Sequence, residues 1–277
     1  MASYLVEQTE SKTEFSVRNQ RSRLKIIPYV GCKSGFAHIF DALISKDTSE
    51  NIYDLFGGGG GFTIYACNRF GSERVTYNDN NPVLVNFMTQ LQKSPHRLFC
   101  EYEKHRKNSS PEYYLKVRGM NIKKGVTAAG RFFYLSKNAF SGKIRFNSQN
   151  IFNTPMRKNT PCPKIKRDDI INISQVLKHL TIKNESYENF INLKQKFIYL
   201  YPPYINNTNG HYNNILEKSE FIKFVKKIKK TNKVMISEQN LPQELDLVDF
   251  NIYNISLYRS LQYVTQNNSK EIIGINY

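Results

Sequence analysis

The sequence predicts an α/β fold with a mostly parallel sheet, and three features of its 277 residues support this prediction. Short apolar or β-branched runs, each followed by a polar or chain-breaking residue, are typical of buried strands. Segments with helical periodicity separate these runs, and strands that alternate with helices form parallel sheets. A long basic segment without strand patterning divides the chain, which indicates an insertion into the sheet domain.

Four apolar or β-branched segments are predicted to be strands, two before and two after the basic segment. They are ENIYDLF, ERVTYND, KFIYLYPP and NKVMISEQ. Between the last two, SEFIKFVKKIKK places Phe221, Phe224, Val225 and Ile228 on one helical face and lysines on the other. We therefore expect this helix to pack its apolar face on the sheet.

The charge of the chain is strongly positive and unevenly distributed. It has 40 Lys and Arg against 23 Asp and Glu, a net charge of +17. Residues 101–167 contain 16 of the basic residues and 3 of the acidic ones, so they carry +13 of this total. A surplus of this size indicates a polyanionic partner, most often nucleic acid. The alternative is a composition that is generally rich in Lys, Asn and Ile.

The cysteines and the first residues bear on the compartment. The four cysteines are Cys32, Cys67, Cys100 and Cys162, and their spacing is neither that of a metal clip nor that of a disulfide framework. We therefore expect reduced thiols and a cytoplasmic protein without a metal site. The first residues lack the pattern of a signal peptide, and no apolar stretch is long enough for a membrane span.

Five glycines, Gly57 to Gly61, follow a predicted strand and the acidic residue Asp54. Glycines let the backbone approach a ligand closely, and open α/β sheets bind ligands at the carboxyl ends of their strands. The glycines are not followed by the Gly-Lys-Ser/Thr sequence of a P-loop, which excludes a phosphate-binding loop of the nucleoside triphosphatase type. Asp79 ends the next strand, where an acid holds a ribose diol. The order of Asp54, the glycines and Asp79 along the chain indicates a site for a nucleoside-type cofactor. The alternative is a flexible glycine turn with an unrelated surface aspartate.

The stretch Tyr201-Pro202-Pro203-Tyr204 follows the third predicted strand. Two prolines give a stiff backbone that donates no hydrogen bond and leaves its carbonyl oxygens free to accept. With the aromatic face of Tyr204 beside them, these carbonyls suit a planar base with an exocyclic amine. The alternative is a rigid loop after a core strand.

The motifs from about Lys25 to Tyr277 resemble, in order, those of the Dam-type (D12 class) DNA adenine-N6 methyltransferases. The similar stretches are IIPYVGCKSGFAHIFDALI, YDLFGGGGGFTIY, YNDNNPVLVNFM, FFYLSKNAFSGKIRFN, YPPY and EIIGINY. The resemblance implies a Rossmann-like twisted sheet that binds S-adenosylmethionine. It further implies a catalytic core of residues 1–92 and 168–277 and a mainly helical or irregular DNA-recognition insertion of residues 93–167.

The resemblance also implies roles for individual residues. Tyr29 and Lys33 would bracket the methionine end of S-adenosylmethionine, and Asp79 would hold its ribose. The loop beneath the cofactor would comprise Asp54, Phe56, Gly58, Gly59 and Gly60. Double-stranded DNA would be contacted by Lys137, Arg145 and Asn147. The catalytic motif would be Tyr201, Pro202, Pro203 and Tyr204, in which Pro202 and Tyr204 hold an adenine flipped out of the helix.

Three positions depart from the family pattern, and Tyr201 is the most consequential. The family has Asp there, as the acceptor for the adenine amine, whereas a phenol is neutral and bulkier. Cys32 replaces a glycine and Glu238 replaces an asparagine. Three hypotheses follow: an active adenine methyltransferase, a catalytically impaired DNA-binding relative or subunit with a protein partner, and an enzyme for another amine or methyl donor.

Overall fold

Strands and helices alternate along most of the chain in the computed structural model. The structure describes residues 8–9, 12–17, 26–29, 33–147, 149, 151–158, 160–202, 216–238, 241–245, 247–257 and 269–277. The strands are β1 (Gln8–Thr9), β2 (Lys12–Val17), β3 (Ile52–Asp54), β4 (Val75–Asn78), β5 (Thr181–Lys183), β6 (Phe197–Leu200), β7 (Lys233–Glu238), β8 (Asn251–Leu257) and β9 (Ser269–Ile275). All four predicted strands are present, as β3, β4, β6 and β7.

The helices begin and end at residues typical of such positions. They are α1 (Ala37–Leu43), α2 (Gly61–Phe70), α3 (Pro82–Lys93), α4 (Pro95–Lys107), α5 (Pro111–Gly119), α6 (Gly125–Asn138), α7 (Arg167–Val176) and α8 (Lys218–Ile228). Proline opens α3, α4 and α5, where its missing N–H costs nothing. The side chains of Asn81 and Ser110 cap α3 and α5 by accepting from backbone N–H groups.

The strands of the described part of the chain form one mixed sheet in the order β1-β2-β8-β9-β7-β6-β3-β4-β5. The five strands from β7 to β5 in this order are mutually parallel. The strand β9 is antiparallel to both neighbours, β7 and β8. The prediction of a mostly parallel α/β sheet is therefore confirmed, and the carboxyl ends of β3, β4, β6 and β7 share one edge.

Each face of the sheet buries its own hydrophobic core. On one face, Phe197 and Tyr199 of β6 pack with residues of α1 and α2. On the other, Ile198 and Leu200 pack with α8, whose Phe221, Phe224, Val225 and Ile228 are buried. The predicted apolar face of α8 is thus confirmed, and the alternation along β6 follows from the two-residue period of a strand.

Three helices, α4 to α6, and a two-stranded arm lie between α3 and α7. The arm is an antiparallel hairpin in which Ala139 pairs with Met156 and Phe146 with Phe152. Phe87 of α3 contacts the rings of Phe132 and Phe133 of α6, with centroid separations of 5.5 and 5.3 Å. The helices therefore share a core with the sheet domain. None of the described helices is long and apolar enough to cross a membrane.

Candidate active site

The predicted glycine loop lies at the carboxyl ends of β3 and β4, where Asp54 is level with Tyr77 and Tyr199 on the neighbouring strands. A Cβ atom at Gly57 would lie 2.1 Å from the ring of Tyr77, so only glycine fits there. Gly60 has a φ of 76° and precedes α2. Close packing and helix initiation thus explain two of the five glycines without a ligand.

Tyr29, for which the resemblance predicts a contact with the cofactor, lies against this loop. A Cβ atom at Gly58 would be 2.8 Å from its ring, and one at Gly59 would be 2.6 Å from its Cβ. Phe56 points elsewhere, because its ring packs against Tyr187 and Phe221 in the core beneath α8. Its contribution to the site is therefore through the backbone and the packing of the loop.

Asp54 is buried beneath the loop at the end of β3. Its Oδ2 accepts a hydrogen bond of 2.6 Å from Thr63 of α2, and its Oδ1 is buried without a hydrogen-bond partner in the described part of the chain. Burial raises the pKa of Asp54 to about 7, with the negative charge of Asp79 adding to the shift against the Thr63 bond. A cation placed at Oδ1 would favour the charged carboxylate.

Asp79 is held in a fixed orientation by two backbone N–H groups. Its Oδ2 accepts from Gly58 of the loop and its Oδ1 from Asn81, both at 2.8 Å. Burial raises the pKa of Asp79 to about 6, and these two hydrogen bonds oppose the shift. Each carboxylate oxygen has a second lone pair, so the oriented group retains the capacity to accept from a pair of hydroxyls.

Tyr201 and Pro202 follow β6 at the same edge, and the buried side chain of Lys33 lies beside them. The Lys33 ammonium is 3.8 Å from the centroid of the Tyr201 ring and 4.9 Å from that of Phe36. It also forms a buried ion pair with Glu271 of β9. Pro202 is buried, while Pro203, Tyr204 and Cys32 lie outside the described residues. The structure thus brings Lys33 to the predicted catalytic motif.

Two buried acids lie on the next two strands of the sheet on one side of β6, Glu238 on β7 and Glu271 on β9. Glu238, noted in the sequence as a departure from the family pattern, ends β7 and is level with Ile272 of β9. Glu271 was not predicted as a site residue. Its signal is an acid directly before the apolar run Ile272 to Ile275, which must find a charged or polar partner on burial.

Of the three predicted DNA-contacting residues, Lys137 lies in the last turn of α6, and Arg145 and Asn147 lie on the arm. The Lys137 ammonium is 5.6 Å from the centroid of the Phe133 ring. The backbone N–H of Arg145 donates to Thr154 Oγ1, and Asn147 Oδ1 accepts from the N–H groups of Gln149 and Ile151. The Asn147 side chain therefore shapes the tip of the arm.

A family model described as D12 class N6 adenine-specific DNA methyltransferase matches residues 29–261. The chain belongs to this family. The match spans the glycine loop, the arm and the Tyr201 motif in one continuous region, so the resemblance noted in the sequence is confirmed and the protein is an adenine-specific DNA methyltransferase.

Two sequence relatives of this D12 methyltransferase are type II methyltransferases. The chain is 25% identical over 198 residues to the type II methyltransferase M1.LlaDCHI of Lactococcus lactis subsp. cremoris, and this alignment covers 67% of this chain and 68% of the relative. It is 28% identical over 184 residues to the type II methyltransferase M.CviBI of Paramecium bursaria Chlorella virus NC1A, covering 65% and 68%. The rRNA methyltransferase AviRa of Streptomyces viridochromogenes aligns over 87% of this chain and 83% of its own, with a TM-score of 0.35 and 11% identity.

The family and fold of this methyltransferase imply the use of S-adenosylmethionine, and the residues present fit that group. The molecule carries a ribose diol, a primary amine and a positively charged sulfur. The oriented Asp79 carboxylate matches the diol. The buried Asp54 Oδ1 matches a cationic or hydrogen-bonding part of the same molecule.

Proposed function

We propose that this protein transfers a methyl group from S-adenosylmethionine to N6 of an adenine flipped out of duplex DNA, at a rate limited by Tyr201. The observation that carries the proposal is the pair of carboxylates at one glycine loop, those of the buried Asp54 and the half-buried Asp79. Tyr201 and Pro202 end the neighbouring strand β6 at the same edge. This arrangement supports a cofactor site adjoining a base site.

The cofactor would be held by the residues around the glycine loop. Asp79 would accept from the ribose hydroxyls, because Gly58 and Asn81 already fix its orientation. Asp54 would face a cationic part of the molecule, and Tyr29, Gly58, Gly59 and Gly60 would line its contact surface. When bound, S-adenosylmethionine supplies a methyl group on a positively charged sulfur, which an amine nitrogen displaces.

DNA would be bound by the insertion, residues 93–167, with Lys137, Arg145 and Asn147 at the double strand. The target base must leave the stack because its amine is unreachable within a duplex. Pro202 and Tyr204 would hold the flipped adenine through a backbone carbonyl and an aromatic face. These roles follow from the resemblance and from the basic character of the insertion.

Tyr201 sets the expected rate. The N6 lone pair of adenine is delocalised into the ring, and an acceptor for the amine N–H makes it available to attack the methyl carbon. A neutral phenol accepts more weakly than a carboxylate, and losing such a charge-assisted bond costs about 1.5–3 kcal/mol. N6 also gains positive charge during the attack. The positive charge of Lys33, next to Tyr201, disfavours the positive charge on N6. Glu271 reduces this effect by partly neutralising Lys33.

A catalytically impaired relative that binds DNA, alone or with a protein partner, is the second candidate. The contact between the Lys33 ammonium and the Tyr201 ring favours it, because both side chains then occupy the region where the base amine would react. Cofactor and DNA binding would persist in such a protein, since the carboxylates and the basic arm are independent of Tyr201.

The deciding experiment is methyl transfer from labelled S-adenosylmethionine to unmodified duplex DNA, followed by nucleoside analysis. We expect N6-methyladenine from the native protein at a low rate and from the Tyr201→Asp variant at a higher one. If neither protein yields it while both bind cofactor and DNA, the second candidate is supported. Label on another nucleoside would refute the adenine assignment.

A further inference from the structure

A buried acid lies on the strand next to the predicted catalytic motif. Glu238 is the last residue of β7 and is 2% exposed. The strand β7 runs parallel to β6, in a register that places Leu200 level with Ile236. The same register, continued by two residues, places Pro202 level with Glu238, on strands that lie about 4.8 Å apart. Glu238 is therefore the neighbour of the motif across the sheet.

The alternation of side chains along β7 sets the side from which Glu238 approaches the motif. Ile236 of β7 and Leu200 of β6 are both buried in the core beneath α8. The two-residue period of a strand places Glu238 and Pro202 on this same face. Tyr201 packs against the core on the opposite face. Glu238 therefore adjoins Pro202 from a side that the Tyr201 ring does not occupy.

The acid on the other neighbour of β6 has a different place. Asp54 ends β3 and is level with Tyr199, two residues before Tyr201. Its Oδ2 accepts from Thr63 of α2, which holds the carboxylate beneath the glycine loop. Of the buried acids on the two strands beside β6 in the described part of the chain, Glu238 is thus the one level with the motif. Burial of a carboxylate is costly, so an acid at this position indicates a role that a neutral side chain would not fill.

The amine of adenine presents two N–H groups, and both must be accepted if its lone pair is to be directed at the methyl carbon. In the proposed base site the Pro202 carbonyl accepts one of them. The neutral phenol of Tyr201 is a weak acceptor for the other, whereas a hydrogen bond to a carboxylate is roughly twice as strong. Glu238 supplies a carboxylate beside Pro202, on a side chain whose two methylene groups let it extend past the end of the strand.

We propose that Glu238 accepts a hydrogen bond from the amine of the flipped adenine and so partly replaces the carboxylate that position 201 lacks. This inference rests on the proposed function and adds a catalytic residue to it. In the transfer, the N6 lone pair forms the bond to the methyl carbon, and the electron pair of the broken carbon–sulfur bond goes to sulfur. N6 then gives up one proton, which Glu238 accepts and passes to water when the product leaves. The departures from the family pattern at Tyr201 and Glu238 thereby compensate each other.

The test measures the single-turnover rate of N6-methyladenine formation at saturating S-adenosylmethionine and duplex DNA, because this rate separates chemistry from product release. We expect Glu238→Gln to lower the rate by about 10- to 100-fold in the otherwise native protein, the effect of losing one charge-assisted hydrogen bond. In the Tyr201→Asp background the same change should cost less than about threefold, because the acid introduced at position 201 then serves the amine.

Glu50→Gln is the matched control, because Glu50 forms an ion pair with Lys233 at the opposite end of β7. It should react at the native rate. Calorimetry with S-adenosylmethionine and fluorescence anisotropy with duplex DNA check the fold of each variant. Glu238→Gln should bind both ligands as the native protein does, since glutamine has nearly the shape of glutamate.

Four results would overturn the role of Glu238 while an adenine methyltransferase remains. They are an unchanged rate in Glu238→Gln, equal losses in the two backgrounds, loss of ligand binding in Glu238→Gln, and an inactive native protein beside an active Tyr201→Asp variant. Equal losses or lost binding would mean that Glu238 only supports the structure of the site. If neither the native protein nor Tyr201→Asp forms N6-methyladenine, the proposed function and this inference both fail.

Discussion

The ammonium group of Lys33 lies 3.8 Å from the centroid of the Tyr201 ring and is ion-paired with Glu271 at the same time. A lysine that contacts an aromatic face gains from the negative charge of the ring, by about 0.5–2 kcal/mol depending on burial. The residue that departs most from the family pattern is thus integrated into its surroundings. The ion pair of Lys33 and Glu271 accommodates Tyr201, and this pair does not require an acidic residue at position 201.

We expect Tyr201→Asp to raise the rate of adenine methylation by at least about tenfold, because a charge-assisted acceptor worth about 1.5–3 kcal/mol is restored. The measurement is N6-methyladenine formed per minute at saturating cofactor and DNA. Tyr204→Ala is the control and should abolish activity in both backgrounds by removing the stacking face. A native protein that methylates efficiently and is slowed by Tyr201→Asp would show that the phenol takes part in the reaction.

Glu271→Gln should destabilise the protein markedly, because it removes the carboxylate from the buried ion pair of Lys33 and Glu271. Breaking one partner of a buried ion pair typically costs about 3–5 kcal/mol. The double variant Lys33→Met/Glu271→Leu should be much less destabilised than this, as denaturant unfolding of the three proteins would reveal. Equal losses in the single and double variants would contradict a coupled pair.

Asp79→Ala should weaken the binding of S-adenosylmethionine by roughly 10- to 100-fold, the effect of losing charge-assisted hydrogen bonds to two hydroxyls. Calorimetry measures this directly. Asp47→Ala is the matched control, since Asp47 is an exposed acid after α1, away from the loop. Unchanged affinity in Asp79→Ala would remove this residue from the cofactor site.

The stability of the ligand-free protein should fall as pH rises towards neutrality, because of Asp54. Its pKa is raised from 3.8 to about 7, so between these values the folded protein retains a proton that the unfolded chain has lost. The free energy of unfolding therefore decreases with rising pH across this window. Thermal unfolding at several pH values should show this decrease, and Asp54→Asn should reduce it. An identical pH profile in both proteins would exclude a proton on Asp54.

Duplex DNA should bind through the insertion with a steep salt dependence, because its lysines and arginines displace counterions from phosphates. Replacing Lys137 and Arg145 by Gln should weaken binding and flatten the slope of affinity against salt concentration. The matched control replaces Lys226 and Lys227, exposed on α8 outside the insertion. If both double variants behave alike, the charge of the insertion has no specific role.

The sequence predicts those parts of the site that depend on local order along the chain. Asp54 ends β3 and Asp79 directly follows β4, and a parallel sheet necessarily brings the carboxyl ends of its strands to one edge. The direction of Phe56 was not predictable in this way, because a turn after Asp54 interrupts the alternation and sends the ring into the core beneath α8. The ion pair of Lys33 and Glu271 could not be predicted from the sequence either, since it joins residues 238 positions apart and has no local sequence pattern.

The place of β9 in the sheet has a consequence for the order of events during synthesis. This strand follows all other described strands in the sequence, yet it lies between β7 and β8 and carries Glu271. A ribosome-bound chain that lacks β9 has no strand between β7 and β8 and lacks Glu271, the buried carboxylate that pairs with Lys33. Acquisition of a complete site is therefore a late step, coupled to insertion of the final strand, and long-range pairing of this kind is intrinsically slow.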